Sequence, residues 1–182
     1  MSSIIDELKR ICLHQTSDYF TWTVNHCDEV YPGILVGNCY SAENIEKLKK
    51  LNVGYVLNAA YGSDVHLGTA EVLPAETYAR AGIAFLGIPA IDMVSYPIQN
   101  HFRQASDFIG AALQSGKKVL VHCMQGISRS AALVIAYLIE EKGMDVLEAT
   151  RTVRRCRQIR PNDGFLRQLC ILDEACNKAT SC

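Results

Sequence analysis

Val119-Leu120-Val121-His122-Cys123-Met124-Gln125-Gly126-Ile127-Ser128-Arg129-Ser130 decides the reading of this chain. Lys118 to Val121 alternates too little for a half-exposed strand and predicts a buried one. Ser130–Ile139 is too long and apolar for anything but a core helix. The Cys-x5-Arg loop between them is clamped at both ends.

A strand-loop-helix junction leaves the first helical N–H groups unpaired, so an anion placed there gains hydrogen bonds and the positive end of the helix dipole. Gly126 lets the backbone curl around that anion. Arg129 adds a planar fork of donors, a geometry that lysine lacks. Phosphate is the anion such a nest fits best. The same field acts on Cys123: an ordinary thiol with a pKa of about 8.5 is only a few per cent ionised at neutral pH. Lowering that value by two to three units takes roughly 3–4 kcal/mol of preferential anion stabilisation, which the aimed N–H groups, the helix terminus and Arg129 together supply. Cys123 is expected to rest as a thiolate and to be the thiol most open to peroxide. A nucleotide loop of Walker type is the competitor, but Gly110 to Gly116 is followed by Lys117-Lys118 without Ser or Thr, and Gly116 reads as a helix stop.

Working outward, Ser2 or Ser3 caps a helix with an apolar stripe of Ile4, Ile5, Leu8, Ile11 and Cys12, followed by Tyr19, Phe20 and Trp22. Residues 1–27 read as a helical extension that either folds onto its own domain or docks a partner, and a homodimer through this region is one expectation. Residues 28–178 read as the catalytic domain. Strands are expected around Ile34–Val36, Gly54–Asn58, Ala84–Ile88 and Lys118–Val121. Helices are expected near Ala42–Leu51, Ala70–Arg80, Ile98–Gln114, Ser130–Lys142, Asp145–Arg157 and Asn162–Asn177. The alternation predicts a single α/β domain with a mostly parallel, twisted sheet of about five strands covered by helices on both faces. Ligands in such sheets bind beyond the C-terminal strand ends, where Cys123 falls.

The 182 residues, 49% of them hydrophobic, suffice for one core. A net charge of −1 argues against nucleic acid or an anionic membrane as partner. Asp6, Glu7, Lys9 and Arg10 stand where a secretion signal would be apolar, so a cytoplasmic or nuclear setting is expected, with the eight cysteines reduced. No Cys-x-x-Cys spacing suggests a metal, and the loop chemistry requires neither metal nor cofactor.

His-Cys-x-x-Gly-x-x-Arg-Ser resembles the signature of cysteine-dependent protein phosphatases. Ala136-Tyr137-Leu138-Ile139, Arg160-Pro161-Asn162-Asp163-Gly164-Phe165-Leu166-Arg167-Gln168-Leu169, Val30–Gly37 and Val56–Ala60 are similar to the dual-specificity branch. The likeness is greatest to its small, atypical, VHR-like members and spans about residues 28–176. It implies the protein tyrosine phosphatase-like fold and hydrolysis of phosphotyrosine and of phosphoserine or phosphothreonine in proteins through a phosphocysteine. A bisphosphorylated loop of MAP kinase type is one implied substrate.

The departing oxygen needs a proton from a positioned acid. Asp92, at the exit of the strand ending at Ile88, and Asp64, beyond another strand end, both qualify by position; the resemblance points to Asp92. It further implies that Met124, Gln125, Gly126, Ile127, Ser128 and Arg129 hold the substrate phosphate and that Ser130 donates to the departing sulfur. His122 would orient the loop, and Asn162 would tie its helix to it. Arg157 would contact a second phosphate. An ionised Cys123 beside a protonated Asp92 predicts a bell-shaped pH profile with an acidic optimum. Two other functions share the motif. One is a phosphoinositide or RNA 5′-phosphate phosphatase, disfavoured by the uncharged Met124, Gln125 and Ile127. The other is a phosphoprotein-binding module, which would need neither nucleophile nor acid.

Overall fold

In the computed structural model, which describes residues 2–13 and 25–179, five strands form one sheet in the order β1-β2-β5-β3-β4. They are β1 Cys27–Tyr31, β2 Ile34–Gly37, β3 Val53–Asn58, β4 Ala84–Gly87 and β5 Lys118–His122. All neighbours are parallel except β1, which pairs antiparallel with β2. The helices are α1 Ser2–Leu13, α2 Cys39–Glu43, α3 Ile45–Lys50, α4 Ala75–Arg80, α5 Phe102–Gln114, α6 Arg129–Lys142, α7 Val146–Cys156 and α8 Asp163–Ala179.

Every second residue of the central strands points to the same face, and both faces are buried. Ile34, Val36, Leu57, Val119 and Val121 join the larger core with α5 to α8, whereas Leu35, Val56 and Leu120 join the smaller core with Leu48, Tyr78 and Ile83. This two-sided burial is why Lys118–Val121 lacks an alternating polar pattern. Helix α6 runs through the larger core: Arg129 to Ile139 are all buried, so truncating Leu133 to alanine costs about 2–5 kcal/mol.

The structure adds one strand to the expected elements and redraws two of the expected helices. Strand β1 was not anticipated, because Cys-Asp-Glu-Val-Tyr buries only Val30 and carries a register shift at Glu29/Tyr31. The helix expected at Ala42–Leu51 is two, since the side chain of Asn44 accepts from Lys47 N–H and restarts the chain as α3. The helix expected from Ala70 begins only at Ala75, after Pro74, a residue suited to a helix start and not to its interior.

Helix α1 lies on the same body. Leu8 and Cys12 are buried in the larger core, Glu7 pairs with Arg151 at 2.5 Å, and Lys9 pairs with Asp163 at 2.6 Å. Tyr19, Phe20 and Trp22 fall outside the described residues.

Candidate active site

The C-terminal end of β5 delivers Cys123 into the loop that α6 closes, and Cys123 is only 2% exposed. Its Sγ receives the N–H of Gly126 at 3.3 Å and lies 3.3 Å from Ser130 Oγ. Gly126 has φ +69°, and a Cβ there would stand 2.4 Å from the carbonyl of Gly37. The turn that aims its N–H at the sulfur therefore excludes any side chain.

Burial is the strongest single influence on the Cys123 thiol and raises its pKa, yet the Arg129 charge, the Ser130 hydroxyl and the N–H groups of Ser130 and Ile127 outweigh it. The net direction is down, so the sulfur is held toward thiolate. The other shifted thiols go the opposite way by desolvation, Cys12 to about 11.

Arg129 is 4% exposed. Its Nη1 donates to the carbonyls of Gly68 at 2.7 Å and Ala90 at 3.0 Å, which fixes the guanidinium plane. Its Nε is buried without a hydrogen-bond partner and lies 3.8 Å from Asp92 Oδ2. A guanidinium anchored through Nη1 keeps its Nε–Nη2 edge for a bidentate acceptor, and phosphate oxygens match that edge.

Asp92 is held on the same hollow. Its Oδ1 accepts from Ser128 Oγ and from Asn162 Nδ2, each at 2.8 Å. Asp64 instead caps the turn Val65–Leu67, accepting from the N–H groups of His66 and Leu67, and does not line the hollow. Asn162 also caps α8 through Phe165 N–H at 3.0 Å. The expected tie from Asn162 to the phosphate loop therefore goes to the acid. A Cβ on Gly164 would meet Val94 O at 1.9 Å, so glycine there is what lets the start of α8 press against the segment carrying Asp92.

A hollow of about 590 Å³ gathers Gly68, Asp92, Cys123, Met124, Gln125, Ile127, Ser128, Arg129, Arg160 and Asn162. Two expected residues are placed differently. His122 is fully buried, and desolvation lowers its pKa to about 4 against a weak upward pull from the Cys123 backbone. Neither ring nitrogen makes a hydrogen bond of ordinary geometry, so a neutral ring acts on the loop by packing.

Arg157 does not reach the hollow. It is 2% exposed, and it donates from Nε to Gly126 O at 2.7 Å, from Nη1 to Asp28 Oδ2 at 2.7 Å and to Asn25 O at 3.2 Å, and from Nη2 to Gln125 O at 3.3 Å. The expectation of a second-phosphate contact is corrected on that ground: these donors hold the loop's own carbonyls and the start of β1. Gly68, Ala90, Asp28 and Arg160 were missed. Backbone carbonyls carry no residue-type signal, and Asp28 meets Arg157 across 129 residues of sequence.

A cysteine biased toward thiolate, a fixed arginine and a carboxylate around one hollow, at the strand ends of a mostly parallel sheet, define a cysteine-dependent phosphatase. Residues 34–175 match the family described as dual specificity phosphatase, catalytic domain, and the chain belongs to that family. It is 44% identical over 150 residues to dual specificity protein phosphatase 26 of Homo sapiens, covering 82% of this chain and 68% of that protein. It is 39% identical over 160 residues to human dual specificity protein phosphatase 13B, covering 87% and 78%. The crystal structure of human DUSP28 superposes with a TM-score of 0.74 at 26% identity, covering 86% of this chain and 99% of that one.

Proposed function

We propose that this phosphatase hydrolyses phosphotyrosine and phosphoserine or phosphothreonine in proteins, with Cys123 as nucleophile and Asp92 as general acid. Arg129 carries this reading, because its side chain lines the hollow that also holds a sulfur biased toward thiolate and its buried Nε has no hydrogen-bond partner. Sγ attacks phosphorus and the P–O bond to the substrate breaks. The Nε–Nη2 edge and the loop N–H groups carry the phosphoryl oxygens, while Asp92 protonates the departing oxygen. Asp92 then takes a proton from the water that attacks the phosphocysteine, and the Ser130 hydroxyl stabilises the sulfur as it leaves. Ser128 and Asn162 keep the carboxyl group turned to the hollow.

Dual specificity is supported by family membership and by the names of the relatives. Bisphosphorylated loops of MAP kinase type belong to the same proposal on the sequence resemblance. A thiolate nucleophile among free cysteines suits a reducing compartment, which supports the cytoplasm and the nucleus. For a homodimer through the N-terminal region, the support is the outward placement of Ile4 and Leu13 on α1. Phosphopeptide turnover by wild type, and phosphopeptide binding without turnover by Cys123→Ser, are the expected results. Faster hydrolysis of an inositol phospholipid or of triphosphorylated RNA would overturn the assignment of protein substrates.

A further inference from the structure

Arg160 is the exposed cation on the wall of the catalytic hollow, and it also lines a smaller cavity of about 170 Å³ shared with Lys9, Cys12, Leu13, Asp163 and Leu166. The two cavities meet at one side chain. Among the described residues Arg160 has no ion pair and no side-chain hydrogen bond, whereas Lys9 is paired with Asp163 at 2.6 Å. Its backbone is fixed: Arg160 N–H donates to Ile127 O of the phosphate loop at 2.9 Å, and Pro161 follows. Arg157, by contrast, is committed to Asp28 and to loop carbonyls. The loop rim itself, Met124, Gln125 and Ile127, carries no charge.

We infer that Arg160 and the groove between α1 and the start of α8 form a second substrate subsite, which takes an anionic side chain flanking the phosphorylated residue of the same protein. This rests on the phosphatase reading and adds to it a substrate class. A substrate phosphate on Cys123 brings the neighbouring side chains of its chain over the mouth, where Arg160 is the cation with free donors. A glutamate, an aspartate or a second phosphorylated residue satisfies it. Helix α1 then has a role in the site: it walls the subsite as well as covering the core.

The test compares wild type, Arg160→Ala and Arg160→Glu on para-nitrophenyl phosphate and on three phosphotyrosine peptides of one sequence, whose flanking residue is glutamine, glutamate or phosphothreonine. Expected is a loss in kcat/KM on the two anionic-flank peptides that exceeds the loss on para-nitrophenyl phosphate and on the glutamine peptide by about three- to fivefold, carried by KM. The excess should shrink as salt is raised and be larger for Arg160→Glu than for Arg160→Ala. A greater loss on the phosphothreonine peptide alone identifies a phosphate-selective subsite, and similar losses on both anionic peptides identify a general acidic one. Equal losses on all four substrates, or none on any, overturn the subsite. Absence of wild-type turnover on para-nitrophenyl phosphate overturns the phosphatase reading beneath it, and the subsite with it.

Discussion

Two buried arginines serve the same loop in different ways. Arg129 is anchored through one nitrogen by the carbonyls of Gly68 and Ala90 and keeps a buried Nε without a hydrogen-bond partner. Arg157 is bound along its whole fork by Gly126 O, Gln125 O, Asn25 O and Asp28. Both are almost fully buried, and the family resemblance implied a phosphate contact for each. What separates them is donor capacity left over: an arginine with an open edge binds ligand, and a saturated one braces backbone.

Substitution of each should break differently. Arg129→Met is expected to lower kcat/KM by about a thousandfold or more, because it removes the charge and two aimed donors from the reacting phosphoryl group, with kinetics on para-nitrophenyl phosphate as the check. Arg157→Met should instead lower unfolding free energy by about 3 kcal/mol in urea titration, since Asp28 and two loop carbonyls lose their partner, while kcat falls by no more than about tenfold. The double change with Asp28→Asn is expected to recover part of that stability. Should Arg157→Met prove as inactive as Arg129→Met and equally stable, the division between them fails.

Asp92→Asn sharpens the comparison on the ligand side. A reduction of about a hundredfold in kcat is expected on phosphopeptides, whose alkoxide or phenoxide leaves poorly, and a smaller one on an aryl phosphate with an acidic leaving group. Thermal stability should change little. Equal loss on both substrates would mean that Asp92 orients Arg129 and transfers no proton.

The smallest effect lies with His122, behind the loop. Its folded pKa of about 4 is below the ordinary 6.5, so the unfolded chain binds the extra proton first as pH falls. The contribution of a neutral His122 is complete above about pH 6.5 and erodes toward pH 4, by about 2 kcal/mol at pH 5. Urea unfolding of wild type and His122→Phe between pH 7 and pH 5 should show the gap between them changing by that amount in favour of the variant. A constant gap would mean that the folded ring titrates like that of the unfolded chain.

The parts of the site that residue type and spacing encode were legible beforehand. Cys123, Arg129 and Ser130 are brought together because a buried strand and an apolar helix fix both ends of one short loop. The sheet was legible for the same reason: two-sided burial writes apolar runs into β2, β3 and β5. Strand β1 was not, since an edge strand with one buried residue leaves no pattern. Nor was the fate of Arg157, which depends on an aspartate at the far edge of the sheet, or the seating of Arg129, which depends on two backbone carbonyls. Asn162 was expected to tie its helix to the phosphate loop, but its bond to Asp92 arises from the packing of α8 against a segment 70 residues earlier.

The central claim is that the loop and Arg129 hold the Cys123 sulfur negative, and titration of that thiol tests it most directly. Rates of alkylation of Cys123 by iodoacetate, followed from pH 4 to pH 10 in wild type, Arg129→Met and Arg157→Met, should show a midpoint well below an ordinary thiol in wild type and Arg157→Met, moved upward in Arg129→Met. A wild-type midpoint at or above that of an ordinary thiol, or one unmoved by loss of Arg129, would contradict the account.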